Sequence, residues 1–325
     1  MTHPIQRRHA TLAILAACTT GLSLAETWPA KPIRLVVPFP AGGGTDIVAR
    51  DVSNKLTTST KWNFIVDNKP GSGGNLGIDT VAKAPADGYN LVIGQTSNLA
   101  INPTLYSKLP YDPVNDLTPV GLIGSAPLAL VVAANSPYKT LADAVAAAKA
   151  QPGGLNYATS GNGTVAHLAT DMFQREAGIK LTHVPYKGAS QGLTDVIGGL
   201  VHLYVSSVPT LLGHIKSGKL RALAVTASKR TDDLPQVPTV AESGYKGFEA
   251  VTWFGLLGPA RLPAHVVSSV NTELNKALNS PDLRKKLEDQ GLDVTPATPE
   301  QFGKLIRSDI VKWGRVVKES GAKVD

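Results

Sequence analysis

The segment IRLVVPFPAGGGTDIVAR, residues 33–50, reads as a strand, a glycine turn and a helix in immediate succession. Apart from Arg34, Ile33 to Val37 are β-branched or aliphatic, the pattern of a buried strand. Pro38-Phe39-Pro40 end it, since proline cannot donate to a ladder. Gly42-Gly43-Gly44 then turn the chain, Thr45 is a candidate N-cap, and Asp46 falls in the first turn of a helix carrying Ile47 and Val48. A turn of this kind leaves the first backbone N–H groups of the helix unpaired and aimed at one spot. The helix dipole makes that spot favourable for an anion.

The same grammar recurs once, further along. Residues 155–160 are strand-like, Gly161-Asn162-Gly163-Thr164 repeats the Gly-x-Gly-Thr of Gly42 to Thr45, and 165–178 reads as a helix. Two such turns about half a chain apart imply two lobes facing one anionic ligand. Around them the chain alternates strands (62–66, 90–94, 120–123, 128–133, 181–184, 201–205, 221–226, 251–257) with helices, and Ser125-Ala126-Pro127 separates the fourth strand from the fifth. Thr140 to Asp143 forms a capping box ahead of an alanine-rich helix. The last helix starts at Thr298-Pro299-Glu300-Gln301 and sets Phe302, Leu305, Ile306, Ile310, Trp313 and Val317 on one face. Alternation of this kind predicts an α/β fold, mostly parallel sheets flanked by helices, with ligand at the carboxyl ends of the strands.

Composition narrows the function. At 325 residues the chain can build two domains with cores of their own. The net charge of +7 is dispersed, in solvated pairs such as Lys229-Arg230 and Lys285-Lys286. No basic stripe with interleaved aromatics exists, so nucleic-acid binding is not expected, whereas a mild positive field suits small anions. Arg7 and Arg8 precede a mostly apolar stretch, 10–24, and Ser23-Leu24-Ala25 is a small-x-Ala cleavage site. Residues 1–25 therefore read as a signal peptide, giving a soluble periplasmic protein. Leu15-Ala16-Ala17-Cys18 offers the competing lipoprotein reading, with Cys18 lipidated. Cys18 is the only cysteine, so the processed chain has no disulfide, thiol nucleophile or cysteine metal site.

Several motifs point elsewhere and are weighed against this reading. Gly161-Asn162-Gly163-Thr164-Val165-Ala166 matches a dinucleotide fingerprint, but Val184-Pro185-Tyr186 stand where its acid belongs. Gly42-Gly43-Gly44 lacks the lysine of a P-loop. Gly188-Ala189-Ser190-Gln191-Gly192 is a literal Gly-x-Ser-x-Gly and sketches an exported esterase, with Ser190 as nucleophile, Asp232 or Asp233 as orienter and His265 as base. Pro185-Tyr186-Lys187 stand between the strand and that motif, where a nucleophile elbow needs a sharp turn, so a helix start with Ser190 on the surface is favoured. His167, three residues into a helix start, can reach a carboxylate as a neutral donor. His183, His202, His214 and His265 lack metal-ligand spacing, so neither metal nor cofactor is expected. Trp253-Phe254 reads as core.

KPIRLVVPFPAGGGTDIVAR, NKPGSGGNLG, INPTLYSKLPYDPVNDL, YATSGNGTVAHLA, VPYKG, HIKSGKLRALAVT, LPQVPTVAESG and WFGLLGPA together resemble the substrate-binding proteins of tripartite tricarboxylate transporters, the Bug family. The resemblance runs from about Trp28 to the end. It implies a type II periplasmic-binding-protein fold, a Venus flytrap closing over a small carboxylate held by backbone N–H groups and waters. Lobe 1 would be 26–124 with 250–325, and lobe 2 would be 125–249. Carried onto this chain, the ligand loops comprise Phe39, Ala41, Gly42, Gly43, Thr45 and Asp46; Thr96 and Ser97; and Ser160, Gly161, Asn162, Gly163, Thr164 and His167. Phe39 would form an apolar wall, while Asp46, which would repel an anion, is expected to face the helix-start amides or a water. Where the family commonly carries two acids, this chain has His202 and Ser206, which argues for a dicarboxylate, tricarboxylate or aromatic carboxylate lacking an ammonium group. The implied partners are integral-membrane permease subunits, with a sensor kinase as the signalling alternative, and the implied state is a monomer without enzymatic turnover.

Overall fold

The computed structural model describes residues 28–324, so the 1–25 segment read as a signal peptide, Cys18 included, lies outside them. The opening run forms strand β1 (Ile33–Val37), and the glycine turn feeds helix α1 (Gly44–Thr60). There follow β2 (Phe64–Asn68), α2 (Asn75–Ala82), β3 (Asn90–Gln95), the short α3 (Asn102–Leu105) and β4 (Leu117–Ala133). Next come α4 (Leu141–Ala150), β5 (Asn156–Thr159), α5 (Val165–Ala177), β6 (Thr182–Pro185), α6 (Ala189–Ile197), β7 (Leu203–Ser207), α7 (Val208–Lys216) and β8 (Leu220–Val225). The chain finishes with β9 (Val251–Pro259), α8 (Ala264–Asn279), α9 (Pro281–Glu288), β10 (Asp293–Val294) and α10 (Pro299–Ser320).

All ten strands join one mixed sheet in the order β2-β1-β3-β9-β4-β7-β5-β6, with β8 and β10 added on β4. Each end of the sheet has a parallel core, β2-β1-β3 and β6-β5-β7, as βαβ units require. The antiparallel pairings belong to the strands that join those cores. Residues Leu117–Pro127 of β4 run against β9, whereas Leu128–Val132 run against β7. Here the expectation of two strands, 120–123 and 128–133, is corrected: β4 is continuous. Pro127 stands where the strand changes partners, so its missing N–H interrupts neither ladder, and register shifts near Gly121 and Gly124 absorb the irregularity. β2 likewise begins at Phe64 instead of Trp62, because Trp62 packs edge-on to Trp28 at 5.2 Å between ring centroids.

The chain passes between the two strand sets twice, along β4 and again just before β9. Thr226 ties both passages together. Its Oγ1 accepts from Leu128 N–H at 2.8 Å, and its carbonyl accepts from Ala250 N–H at 3.0 Å. α10 turns Phe302, Ile306, Trp313 and Val317 inward as their spacing predicts, and its capping box, Thr298 with Gln301, is formed. Trp253 is core, edge-on to Phe302 and bonded through Nε1 to Asp309 Oδ2 at 2.7 Å.

Candidate functional site

A cleft with a cavity volume of about 50 Å³ lies just past the carboxyl ends of β1, β3, β5, β6 and β7, between the two strand sets. Four helices begin on it. α1 brings Gly43, Gly44 and Thr45; α5 brings Thr164, Val165 and Ala166; α6 brings Gly188 and Ala189; α7 brings Ser207 and Thr210. In three of these, α1, α6 and α7, the N-cap residue's own side chain makes no cap, although the Gly44 N–H of α1 donates to Thr210 Oγ1 at 3.0 Å; α5 is capped by Thr164 Oγ1 accepting from His167 N–H at 3.3 Å. Phe39, Pro40 and Leu128 supply apolar wall, and Gln95, Ser97, Ser160, Ser206 and Thr252 supply polar groups. Among the described residues, none that lines the cleft is charged. Its electrostatics therefore come from peptide dipoles and hydroxyls, which favour an anion without a fixed countercharge.

Of the residues predicted from sequence, Phe39, Gly43, Thr45, Ser97, Ser160, Thr164 and Ser206 line this cleft. The others stand behind it. Asp46 is buried and points away: its carboxylate accepts from Gly42 N–H at 2.9 Å, Asn68 Nδ2 at 2.9 Å and Arg50 Nε at 2.9 Å. Burial opposes the charge on Asp46, but these donors together outweigh it and hold the carboxyl below the usual range. Asn68 Nδ2 also reaches the Phe39 carbonyl at 3.0 Å, so the network clamps both ends of the first turn. Ala41 and Gly42 are exposed outside the cleft. Thr96 is fully buried, its Oγ1 accepting from Trp253 N–H at 3.0 Å across β3 and β9.

Gly161, Asn162 and Gly163 form the back of the second turn and do not line the cleft. His167 is also brought behind that turn, where its Nδ1 accepts from Gly163 N–H at 3.2 Å instead of donating to a ligand. His202 immediately precedes β7, exposed and bonded to Asn156, at the opposite end of that strand from Ser206. Only Ser206 of that pair bears on the cleft.

Sequence reasoning included Pro40 and Gly44 only as part of the first turn, and did not place Gln95, Gly188, Ala189, Ser207, Thr210 or Thr252 at the ligand. Two signals were available: VPYKGA and SSVPT are both strand-to-helix junctions, and proline near a helix start marks the second. The esterase constellation does not assemble. Ser190 is exposed on α6, which packs on β7 and β5, while His265 is exposed at the start of α8, which packs on α1 and β4. Among the described residues no hydrogen bond joins Ser190, His265, Asp232 or Asp233. Among them, too, no group of acidic, histidine or cysteine side chains is placed to hold a metal, and no helix is long and apolar enough to cross a membrane.

The family model described as the tripartite tricarboxylate transporter family receptor matches residues 48–322. Protein BugT of Bordetella pertussis is 38% identical, with 92% of each chain covered. Two solved structures from Rhodopseudomonas palustris are similar throughout. One, determined with adipate, is 36% identical, covers 91% of this chain and 100% of its own, and superposes with a TM-score of 0.89. The other, MatC with bound malate, is 30% identical, covers 89% and 100%, and has a TM-score of 0.84.

Proposed function

Because the chain belongs to the tripartite tricarboxylate transporter receptor family, we propose that it is an extracytoplasmic solute-binding protein that takes a small carboxylate into this cleft and presents it to the transporter's membrane permease. One observation carries the reading: four helix N-termini, three of them without a cap from their own N-cap side chain, meet in a cleft with no charged lining residue among the described residues. An ionised carboxylate finds N–H and hydroxyl donors on both sides, and an ammonium group finds no carboxylate. The ligand is accordingly a dicarboxylate or related acid without a cation, in keeping with the adipate and malate of the two similar structures.

The energetics suffice. Each charge-assisted hydrogen bond contributes about 1.5–3 kcal/mol, and micromolar affinity requires about 8 kcal/mol net. Four or five such bonds reach this after ordering costs. In this reading 26–124 with 250–325 and 125–249 act as two lobes, shutting about the joint at Thr226, and the protein is released into the periplasm after cleavage behind Ala25.

A thermal-shift and calorimetric panel tests it, using unbranched diacids, tricarboxylates, aromatic carboxylates, matched monoacids, aspartate and glutamate. A diacid at about a hundredfold excess over Kd should add about 2.7 kcal/mol of stability. Binding of aspartate or glutamate with no response to plain diacids would overturn the proposal.

A further inference from the structure

Three aromatic rings form a ladder directly behind the second glycine turn. Tyr157 stacks on His183 at 4.8 Å between centroids, and His183 stacks on His167 at 4.2 Å with the planes 9° apart. Neither histidine lines the cleft. Both instead hold the turn that does. His167 Nδ1 accepts the Gly163 N–H at 3.2 Å. His183 Nε2 lies 2.8 Å from Thr159 Oγ1, which also accepts from Gly161 N–H at 3.2 Å and contacts the Gly161 carbonyl at 3.1 Å. A hydroxyl has one proton. If Thr159 gives it to the Gly161 carbonyl, His183 must donate from Nε2. Thr164 Oγ1 donates to that same carbonyl at 2.9 Å, completing the brace.

We propose that His167 and His183 are positioning residues: as neutral imidazoles they hold 160–164 in its anion-binding shape, and a proton on His167 Nδ1 sets donor against donor at Gly163 and loosens the turn. This rests on the carboxylate reading of the cleft only for its functional consequence. Among the described residues, Asp171 is the charged group that acts on His167, and His167 is the titratable one that acts on His183. On α5, Asp171 lies one turn past His167 and is paired with Arg175 at 3.1 Å; on β5 stands Tyr157; on β6, His183 itself. Burial lowers the proton affinity of His167 more than Asp171 raises it, and burial with the neighbouring His167 pushes His183 down to about 3. Two stacked rings this close cannot both charge, so the pair stays neutral near pH 7 and yields in acid.

The test pairs His167→Asn, whose Oδ1 occupies the acceptor position without titrating, with His167→Leu, which has no acceptor. Adipate affinity is measured by calorimetry from about pH 8 to about pH 4.5. His167→Leu should bind about tenfold more weakly at every pH, and His167→Asn should recover most of that loss. The ratio of wild type to His167→Asn at each pH cancels adipate's own titration and should fall towards acid. Nitrogen-15 NMR of the ligand-free protein reads the geometry directly: His167 Nδ1 unprotonated at neutral pH, and a Gly163 amide resonance that follows His167's titration. A protonated Nδ1 at neutral pH, a Gly163 amide indifferent to that titration, or a His167 neutral down to acid unfolding would each overturn the proposal. If no diacid binds any of the three proteins, the carboxylate reading fails, and the NMR still decides the role of the pair in the turn.

Discussion

The backbone N–H of Gly44 donates to Oγ1 of Thr210 at 3.0 Å, across 166 residues of chain. The first amide of α1 is thus satisfied by a hydroxyl in the first turn of α7, on the opposite wall of the cleft, and Thr210 Oγ1 is itself 3.1 Å from Ser207 Oγ. Two other glycines make close approaches between the walls. A Cβ on Gly188 would lie 2.7 Å from Pro40 Cγ, and one on Gly163 would collide with Leu105 Cδ2. Absent side chains at three points let the walls meet.

Gly44→Ala should therefore weaken carboxylate binding while sparing the fold. The added methyl would come within 2.8 Å of Ser207 Oγ and 3.0 Å of Thr210 Oγ1, but alanine is well suited to the helix itself. Calorimetry should find a loss of about tenfold or more with little change in the melting temperature of the ligand-free protein. Unchanged affinity would mean that this contact does not bear on the ligand.

Gly163→Ala meets two penalties that can be separated. Its φ of +73° lies in the left-handed region, and its new methyl would collide with Leu105. Adding Leu105→Ala should relieve the collision but leave a left-handed cost of about 1–2 kcal/mol, so binding should recover in part. Full recovery in the double variant would mean that the backbone conformation costs nothing.

Ser206→Asp would place a carboxylate in a cleft that has none. Two like charges about 5 Å apart repel by about 3 kcal/mol at an effective dielectric of ~20, which predicts more than a hundredfold loss of diacid affinity. Aspartate or glutamate, whose ammonium groups could pair with the new acid, should lose far less. Equal losses across the ligand panel would place Ser206 away from the ligand.

Asp46 links pH to stability through the first turn. Its native carboxyl titrates below the ordinary value, so its contribution is fully present above about pH 4 and is lost as pH falls through the native value. Asp46→Asn sets an amide donor among donors and should cost about 2 kcal/mol near neutral pH, with a shallower acid limb in denaturant titrations. Parallel acid limbs for the two proteins would refute the assignment.

Ester turnover supplies the control from another class of function. With Ser190 exposed and unaccompanied by a histidine, nitrophenyl esters should be hydrolysed no faster by wild type than by Ser190→Ala. A rate that vanished with Ser190 would make the protein an enzyme.

Local chemistry made much of this protein legible. Ile33 to Val37, the glycine turns and the capping boxes at Thr140 and Thr298 signal their structures through interactions spanning a few residues, which a sequence displays directly. It also displays that the two turns start helices, and hence that each offers free N–H groups. Which side chains face the shared space was decided by the tertiary structure. Thr45 lines the cleft while its neighbour Asp46 turns to Arg50 and Asn68; Thr164 lines it while His167 turns to Gly163 and His183. α6 and α7 enter through pairings with β4, whose single strand the proline at 127 disguised as two. Direction within a turn depends on partners brought from tens to hundreds of residues away, and no local pattern encodes those.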